Sequence, residues 1–113
     1  MEDIEEARER KLQALKERML QKQNEEQKIE KYITQRTNEL AKHQEAINYY
    51  NQYGKKLSEE IIKVGNRSFK QGEIDFFQYI QSLENATTIQ VEYLDNVFQF
   101  NKTQLDIQYI NFQ

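Results

Sequence analysis

The sequence contains no cysteine and no proline, and three of its 113 residues are glycine. Without cysteine, the chain can form no disulfide and offers no thiolate for chemistry or metal binding. The sparse glycines and the absence of Asn-Gly and Asp-Gly pairs remove the usual signals of β-hairpins. We therefore expect a fold without strands.

The charge balance excludes one class of partner. The formal net charge is -3, so the chain offers no excess of Lys and Arg of the kind with which nucleic-acid-binding proteins contact phosphates. No nucleic acid is expected as a partner. A mean hydropathy of -1.00 and a charged fraction of 31% favour long, solvated helices over a compact globule.

Signals for export and for membrane insertion are absent as well. The chain begins with two acidic residues, Glu2 and Asp3, between Met1 and Ile4, and no apolar segment follows. No secretory signal peptide is therefore expected. No run of about 18 apolar residues could span a bilayer, so we expect no direct membrane insertion by this segment. If the parent protein is exported, its targeting signals lie outside this chain, which we expect to be a fragment.

A single turn is predicted near Gly72, where one helical pattern stops and another begins. Gly72 can adopt the positive φ that a position just past a helix end requires. Downstream, the Asp75 carboxylate can accept a hydrogen bond from the backbone N–H of Gln78, whose side chain can reach back to Asp75. Ile74 can pack on Tyr79 as a hydrophobic staple. These signals predict two helices joined by a short tip.

Upstream of this turn, apolar residues recur every seven positions, as in a coiled-coil seam. The two sets of seam positions are Ile33, Leu40, Ile47, Gly54 and Ile61, and Tyr50, Leu57 and Val64. Arg36 and His43 occupy other slots of the seam, and Gly54 provides no side chain. The simplest interpretation is one continuous helix over about residues 3–70. The alternative is a break near Gly54, with Ser58 capping a new helix.

Residues 1–28 differ from the rest of that helix. They are dense in Glu, Lys, Arg and Gln, and their thin apolar stripe consists of Ile4, Leu12, Leu15 and Met19. Residues 22–28 contain no apolar side chain. We interpret residues 1–28 as a charged helical leader with a solvated surface, which is either foreign to the parent protein or overhangs the hairpin.

The second helix, residues 76–113, is apolar around much of its circumference. One stripe consists of Ile80, Leu83, Leu94, Val97 and Leu105, and further apolar residues outside it are Ile74, Phe77, Ile89, Tyr93, Phe100 and Ile107. One partner helix cannot cover so wide a surface, so we expect assembly with other copies of the chain.

The predicted fold class is therefore all-α. It is a long antiparallel helical hairpin with coiled-coil pairing, in which the N-terminal helix is longer than the C-terminal one. Its parts are the leader (1–28), the first hairpin helix (29–70), the tip turn (71–75) and the second hairpin helix (76–113).

No constellation of residues points to catalysis, so we expect the chain not to be an enzyme. The single histidine, His43, has no acceptor or orienting group at a defined spacing, and we expect a polar seam residue or an exposed one. With no cysteine and no second histidine one helical turn away, neither a metal site nor a cofactor is predicted. Carboxylate pairs such as Glu59 and Glu60 are better explained as a solvated face.

Aromatic residues cluster at the predicted tip. They are Phe69, Phe76, Phe77 and Tyr79. Such residues usually pack in a core, but a tip has little core, so some of them are expected to be exposed and available to a partner. Local packing and partner binding both remain open at this point.

The residues around the turn resemble a known family. Residues 66–82 place an aromatic three positions before a glycine, followed by a short polar step and a helix that opens with the apolar pair Phe76 and Phe77. The agreeing flanks are residues 46–50, 57–62, 83–86, 93–95, 99–101 and 105–110. Over roughly residues 40–110, this set resembles the second-repeat tip of TolC-like outer-membrane efflux proteins, most closely the branch that serves heavy-metal RND pumps.

The resemblance implies a homotrimeric parent whose long helices form a periplasmic α-barrel beneath an outer-membrane β-barrel. This segment would be a periplasmic tip hairpin that docks the helical hairpin of a periplasmic adaptor protein, and would serve an RND pump indirectly. The positions that match the contact turn are Arg67, Phe69, Lys70, Gly72, Glu73 and Ile74.

Two departures from the family pattern bear on this expectation. Gln78 and Gln81 stand where some relatives carry acidic residues that face the pore, so these channel-gate candidates are uncharged here. Residues 1–28 carry no resemblance to the family. The alternative function is that of a cytoplasmic coiled-coil scaffold, whose heptads serve to bring chains together.

Overall fold

The computed structural model describes residues 3–111, and they are almost entirely helical. Helix α1 spans Ile4–Tyr49, a π-helical segment spans Tyr50–Gly54, helix α2 spans Lys55–Lys70 and helix α3 spans Phe76–Asn111. No strand occurs within residues 3–111. The predicted all-α hairpin with a longer N-terminal helix is confirmed. Residues 1, 2, 112 and 113, which the predicted segments included, lie outside the described residues.

The chain divides into two units, Met1–Gln35 and Arg36–Gln113. Within the first, the described residues belong almost wholly to α1, and every side chain from residue 8 to residue 31 is exposed. Its exposed large apolar residues are Ile4, Leu12, Leu15, Met19, Leu20 and Ile29. Acidic Glu5 and Glu6 lie in the first turn of α1, where their negative charges interact favourably with the positive end of the helix dipole.

In the second unit, α2 packs against α3 through small side chains. The buried residues of this region are Gly54, Ser58 and Gly65 on one arm of the hairpin and Ala86 on the other. A Cβ atom placed on Gly65 would lie 3.2 Å from the Cβ of Ser82. The two helices therefore approach closely because glycine, serine and alanine leave room for their backbones.

The π-helical segment displaces the predicted seam by one residue. The heptad pattern places Leu57 and Val64 between the helices, but they are 51% and 44% exposed, whereas Ser58 and Gly65 are buried. The Lys55 N–H donates to the Tyr50 carbonyl oxygen, five residues back. Because a π-helical turn holds one more residue than an α-helical turn, every later position is rotated onward. The prediction of Leu57 and Val64 as seam residues is therefore wrong.

The alternative of a helix break near Gly54 is also wrong. Tyr49, Gly54 and Lys55 all have right-handed helical dihedral angles, and no side chain caps this point. The Ser58 hydroxyl donates to the Lys55 carbonyl oxygen at 2.9 Å, which is a bond inside a helix and not a cap.

Helix α2 ends in a Schellman motif. The Gly72 N–H donates to the Phe69 carbonyl oxygen at 3.1 Å, and the Glu73 N–H donates to the Ser68 carbonyl oxygen at 2.9 Å. Gly72 has a φ of 75°, as the sequence predicted. These two bonds satisfy carbonyl groups that the end of the helix would otherwise leave without partners.

Helix α3 begins with the predicted capping box. The Gln78 N–H donates to Asp75 Oδ1 at 2.8 Å, and the Asp75 N–H donates to Gln78 Oε1 at 3.0 Å. The predicted staple between Ile74 and Tyr79 stays a prediction. Within residues 3–111, no helix combines the length and the apolar character needed to cross a bilayer.

We expect Gly72→Ala to destabilise the chain by about 1 kcal/mol, because a Cβ atom is unfavourable at a positive φ. No atom lies within 4 Å of that Cβ position, so the cost comes from the backbone and not from a clash. Urea unfolding followed by circular dichroism measures it. Gly72→Asn is the matched control and should lose less, because asparagine tolerates this conformation. Equal stability of all three chains would contradict the assignment.

Deletion of Gln52, an exposed residue of the π-helical segment, should lower the free energy of unfolding. With one residue fewer and the π-helical turn retained, α2 is rotated by about 100° relative to the residues before it. The first arm of the hairpin can then keep its contacts with α3 either before Gln52 or after it, but not both. Deletion of Gln23, in a stretch where all side chains are exposed, is the control and should leave the urea midpoint of the hairpin nearly unchanged. Equal midpoints for the two deletions would refute the register role of the π-helix.

Candidate docking site at the hairpin tip

The tip is built on an aromatic cluster that joins the end of α2 to the start of α3. The rings of Phe69 and Tyr79 stack with centroids 4.7 Å apart and an interplanar angle of 8°. Phe76 meets Phe69 edge to face, with centroids 6.3 Å apart. The Tyr79 hydroxyl donates to Asn66 Oδ1 at 2.6 Å. This cluster holds the turn in one arrangement, since stacking and a hydrogen bond act on the same ring.

The predicted contact residues surround this cluster. Arg67, Phe69, Lys70, Gly72 and Glu73 are exposed, and Ile74 is half-buried. Phe69 is 39% exposed and uses its ring faces within the cluster, so packing is part of its role. Arg67 and Lys70 lie in the last turn of α2, where a positive charge complements the negative end of the helix dipole. The tip thus presents two cations and two carboxylates, Glu73 and the capping residue Asp75, on a short ordered turn.

Phe77 is the most exposed large apolar side chain of the tip, at 85%, and the resemblance did not assign it to the contact turn. It lies nine residues before the buried Ala86, which is about two and a half helical turns, so it points away from α2. This spacing distinguishes Phe77 from Phe69 once the burial of Ala86 is known from the structure. Together with Phe76, which is 61% exposed, it gives the tip an apolar surface beside its charges.

The gate candidates Gln78 and Gln81 are both exposed. Gln78 already has a structural role, because its side-chain oxygen accepts the Asp75 N–H in the capping box. Gln81 lies less than one turn further along the same helix.

A shallow groove runs along one side of the hairpin, between α3 and residues 46–68 of the first arm. One stretch, near the tip, has a volume of about 420 Å³, and a second, near the π-helical segment, has about 380 Å³; Leu57 lines both. The apolar residues of its lining include Ile61, Val64, Ile74 and Ile89. Leu57 and Val64 belong to this wall because the π-helical turn rotates them out of the seam.

The single histidine belongs to the packing between the two arms of the hairpin. His43 is half-buried, and its Nδ1 lies 3.1 Å from Asn96 Oδ1. Because Asn96 Nδ2 donates to the Glu92 carbonyl oxygen, Asn96 Oδ1 is the acceptor and His43 Nδ1 carries the proton. Further towards the tip, Tyr50 stacks on Tyr93 with centroids 4.0 Å apart. The His43–Asn96 hydrogen bond and the Tyr50–Tyr93 stack both join the two arms of the hairpin, so His43 is a polar seam residue.

The carboxylates and the histidine do not gather into a chemical site in the part of the chain that the structure describes. No three His, Asp or Glu side chains among residues 3–111 converge in a way that could hold a metal ion. The tip presents exposed charges and aromatic surface on two capped helix ends.

Comparisons with protein-family models, with curated proteins and with solved structures return no match. The likeness to TolC-like proteins consequently depends on the residues quoted from the sequence.

Tyr79→Phe should lower the free energy of unfolding by about 1 kcal/mol, because it removes the hydrogen bond to Asn66 and keeps the stacked ring. Thermal and urea unfolding measure the change. Tyr109→Phe, at a site that is 67% exposed, is the matched control and should change the stability by less than about 0.5 kcal/mol. If the two variants were equally stable, the hydrogen bond would not contribute to ordering the tip.

Proposed function

We propose that this chain is a non-catalytic docking element: the periplasmic tip hairpin of a TolC-like outer-membrane efflux channel. Its partner is the helical hairpin of a periplasmic adaptor protein, and it serves an RND pump through that adaptor. The observation that carries the proposal is the tip itself. There, exposed Arg67, Lys70 and Glu73 surround an ordered aromatic turn, and the proposal assigns the contact to this surface.

The order of the tip supports docking. The Schellman motif and the capping box satisfy the backbone on both sides of the turn, and the stack of Phe69 on Tyr79 holds the two helix ends together. Less conformational entropy is then lost on binding, so more of the contact energy appears as affinity.

The chemistry of the tip supports a protein partner. Exposed aromatic and arginine side chains are the residue types that contribute most at protein interfaces. Phe76 and Phe77 supply the apolar area, and the two cations supply charges that can orient an acidic helical partner. No reaction or cofactor is needed for this role.

The proposal includes assembly with further copies, which the resemblance implies as a trimer in the parent protein. The exposed apolar residues on both α2 and α3 support such assembly, because a helix of a barrel wall contacts a neighbour on each side.

The second candidate function is a cytoplasmic coiled-coil scaffold, which the same exposed apolar residues favour. It differs in what the tip does. In a scaffold, chains associate through the sides of their helices, so Arg67 and Lys70 at the tip would not contribute to binding.

Charge reversal at the tip separates the two functions. We expect Arg67→Glu with Lys70→Glu to weaken binding of a purified periplasmic adaptor hairpin by about tenfold or more, which corresponds to about 1.4 kcal/mol, while the helical content stays unchanged. Binding is measured by calorimetry and helicity by circular dichroism.

Lys11→Glu with Arg18→Glu is the matched control, since it reverses the same number of exposed charges far along the sequence from the tip. It should bind as the unchanged chain does. Equal affinity of the tip variant and the control would count against docking through the tip. The scaffold function would instead be supported if Ile47→Asp or Leu57→Asp abolished oligomers while tip variants had no effect.

A further inference from the structure

We infer that the first arm of the hairpin packs against α3 in two exchanging registers, and that this exchange opens and closes the groove. The observed register contains the π-helical turn and places Ser58 and Gly65 in the seam. In the second register the π-helical turn is lost, and Leu57 and Val64 enter the seam. The apolar wall of the groove is then covered from within the chain.

The sequence after the π-helical segment is compatible with both registers. On the seam side, each residue follows an apolar residue that is larger or of equal size: Ser58 follows Leu57, Ile62 follows Ile61, and Gly65 follows Val64. Both sets recur at the spacing of four and three residues that a coiled-coil seam requires. A shift by one residue therefore exchanges one seam for another, and neither set contains a charged side chain.

Loss of the π-helical turn is the movement that connects the two registers. This turn holds one residue more than an α-helical turn, so its conversion to α-helix rotates α2 by about 100° and advances it by about 1.5 Å. The rotation carries Leu57 and Val64 from the groove wall into the seam. Lys56, Glu60 and Lys63, which are exposed, then occupy the wall. The groove side of α2 thereby changes from apolar to charged.

Two contributions favour the second register. Conversion of the π-helical turn restores the regular hydrogen bonds of an α-helix. Leu57 and Val64 are 51% and 44% exposed in the observed register, so their entry into the seam removes apolar surface from water. On α3, Ser82 and Ala86 face the first arm with small side chains, which leave room for larger ones once the helices move apart.

The aromatic cluster at the tip favours the observed register. The stack of Phe69 on Tyr79 and the hydrogen bond from the Tyr79 hydroxyl to Asn66 fix the last turns of α2 relative to α3. A rotation of α2 by about 100° breaks both contacts, because Asn66 and Phe69 turn with the helix. The close approach of Gly65 to Ser82 also belongs to this register. The two registers are thus favoured by contacts in different parts of the hairpin.

Thiol labelling measures the exchange, because the chain contains no cysteine of its own. Ser58→Cys and Ala86→Cys each place a thiol at a fully buried position. Unfolding of the hairpin exposes both thiols, whereas register exchange exposes position 58 and leaves position 86 in the seam. We expect a maleimide to label Ser58→Cys about tenfold faster than Ala86→Cys, each rate being divided by that of the same chain in urea.

Gly65→Ala should shift the equilibrium towards the second register. A Cβ atom at position 65 lies 3.2 Å from the Ser82 Cβ in the observed register, and it turns out of the seam in the second. Labelling of Ser58→Cys should then rise further, by about tenfold, and labelling of Leu57→Cys should fall by about threefold. General loss of stability cannot slow the labelling of an exposed thiol, so this fall identifies the exchange.

A matched control destabilises the hairpin without crowding the seam. Gly72→Ala changes the turn and should not slow the labelling of Leu57→Cys. Circular dichroism checks that each variant retains its helicity. If Gly65→Ala unfolds the chain, Phe69→Ala replaces it. This second variant removes the stack that favours the observed register, so it should change the two labelling rates in the same directions.

Two results would overturn the inference. Equal labelling of Ser58→Cys and Ala86→Cys, in the unchanged background and with Gly65→Ala, would mean that the seam opens only when the whole hairpin unfolds. Labelling of Leu57→Cys that stays constant or becomes faster with Gly65→Ala would mean that α2 does not rotate into a second register. Neither result bears on docking through the tip, which the charge reversals at Arg67 and Lys70 measure separately.

Discussion

Close packing of small side chains between α2 and α3 is the constraint on which the rest of the structure depends. Gly54 and Gly65 let the first arm of the hairpin approach Ile89 and Ser82, and Ser58 and Ala86 are fully buried, so the backbones occupy space that large side chains fill in most helix pairs. Of the described residues, Ala86 is the buried apolar one, and little apolar area is removed from water inside a single chain. The hairpin consequently relies on its caps, its aromatic stacks and, in our proposal, on neighbouring copies.

The π-helical segment makes this packing possible and determines what remains outside. Its extra residue shifts the seam onto Ser58 and Gly65, and the side chains displaced by that shift, Leu57 and Val64, form a wall of the groove. A Cβ atom on Gly54 would lie 2.9 Å from Cδ2 of Tyr50, so glycine is needed where the Tyr50 ring turns to stack on Tyr93. One local irregularity therefore links the intrachain seam to the surface available for assembly.

The tip depends on local interactions and was accordingly open to prediction. The positive φ of Gly72 and the reciprocal bonds of Asp75 and Gln78 involve residues within three positions of one another, so their residue types determine them directly. The distinct roles of Phe69 and Phe77 were not predictable in the same way. Phe69 stacks on Tyr79 across the turn, and Phe77 points outward, and this distinction depends on how the two helices face each other.

By itself, the sequence determined that the chain is helical, where it turns and how both helix ends are capped, because each of these follows from side chains close together in the chain. The tertiary structure decided which face of each helix meets the other. A seven-residue repeat is equally regular with or without one π-helical turn, so periodicity alone placed Leu57 and Val64 inside. The close contact of Gly65 with Ser82 and the stack of Tyr50 on Tyr93 form in the register that includes the π-helical turn. Those contacts join residues 17 and 43 positions apart, and their energy appears once the two helices have come together.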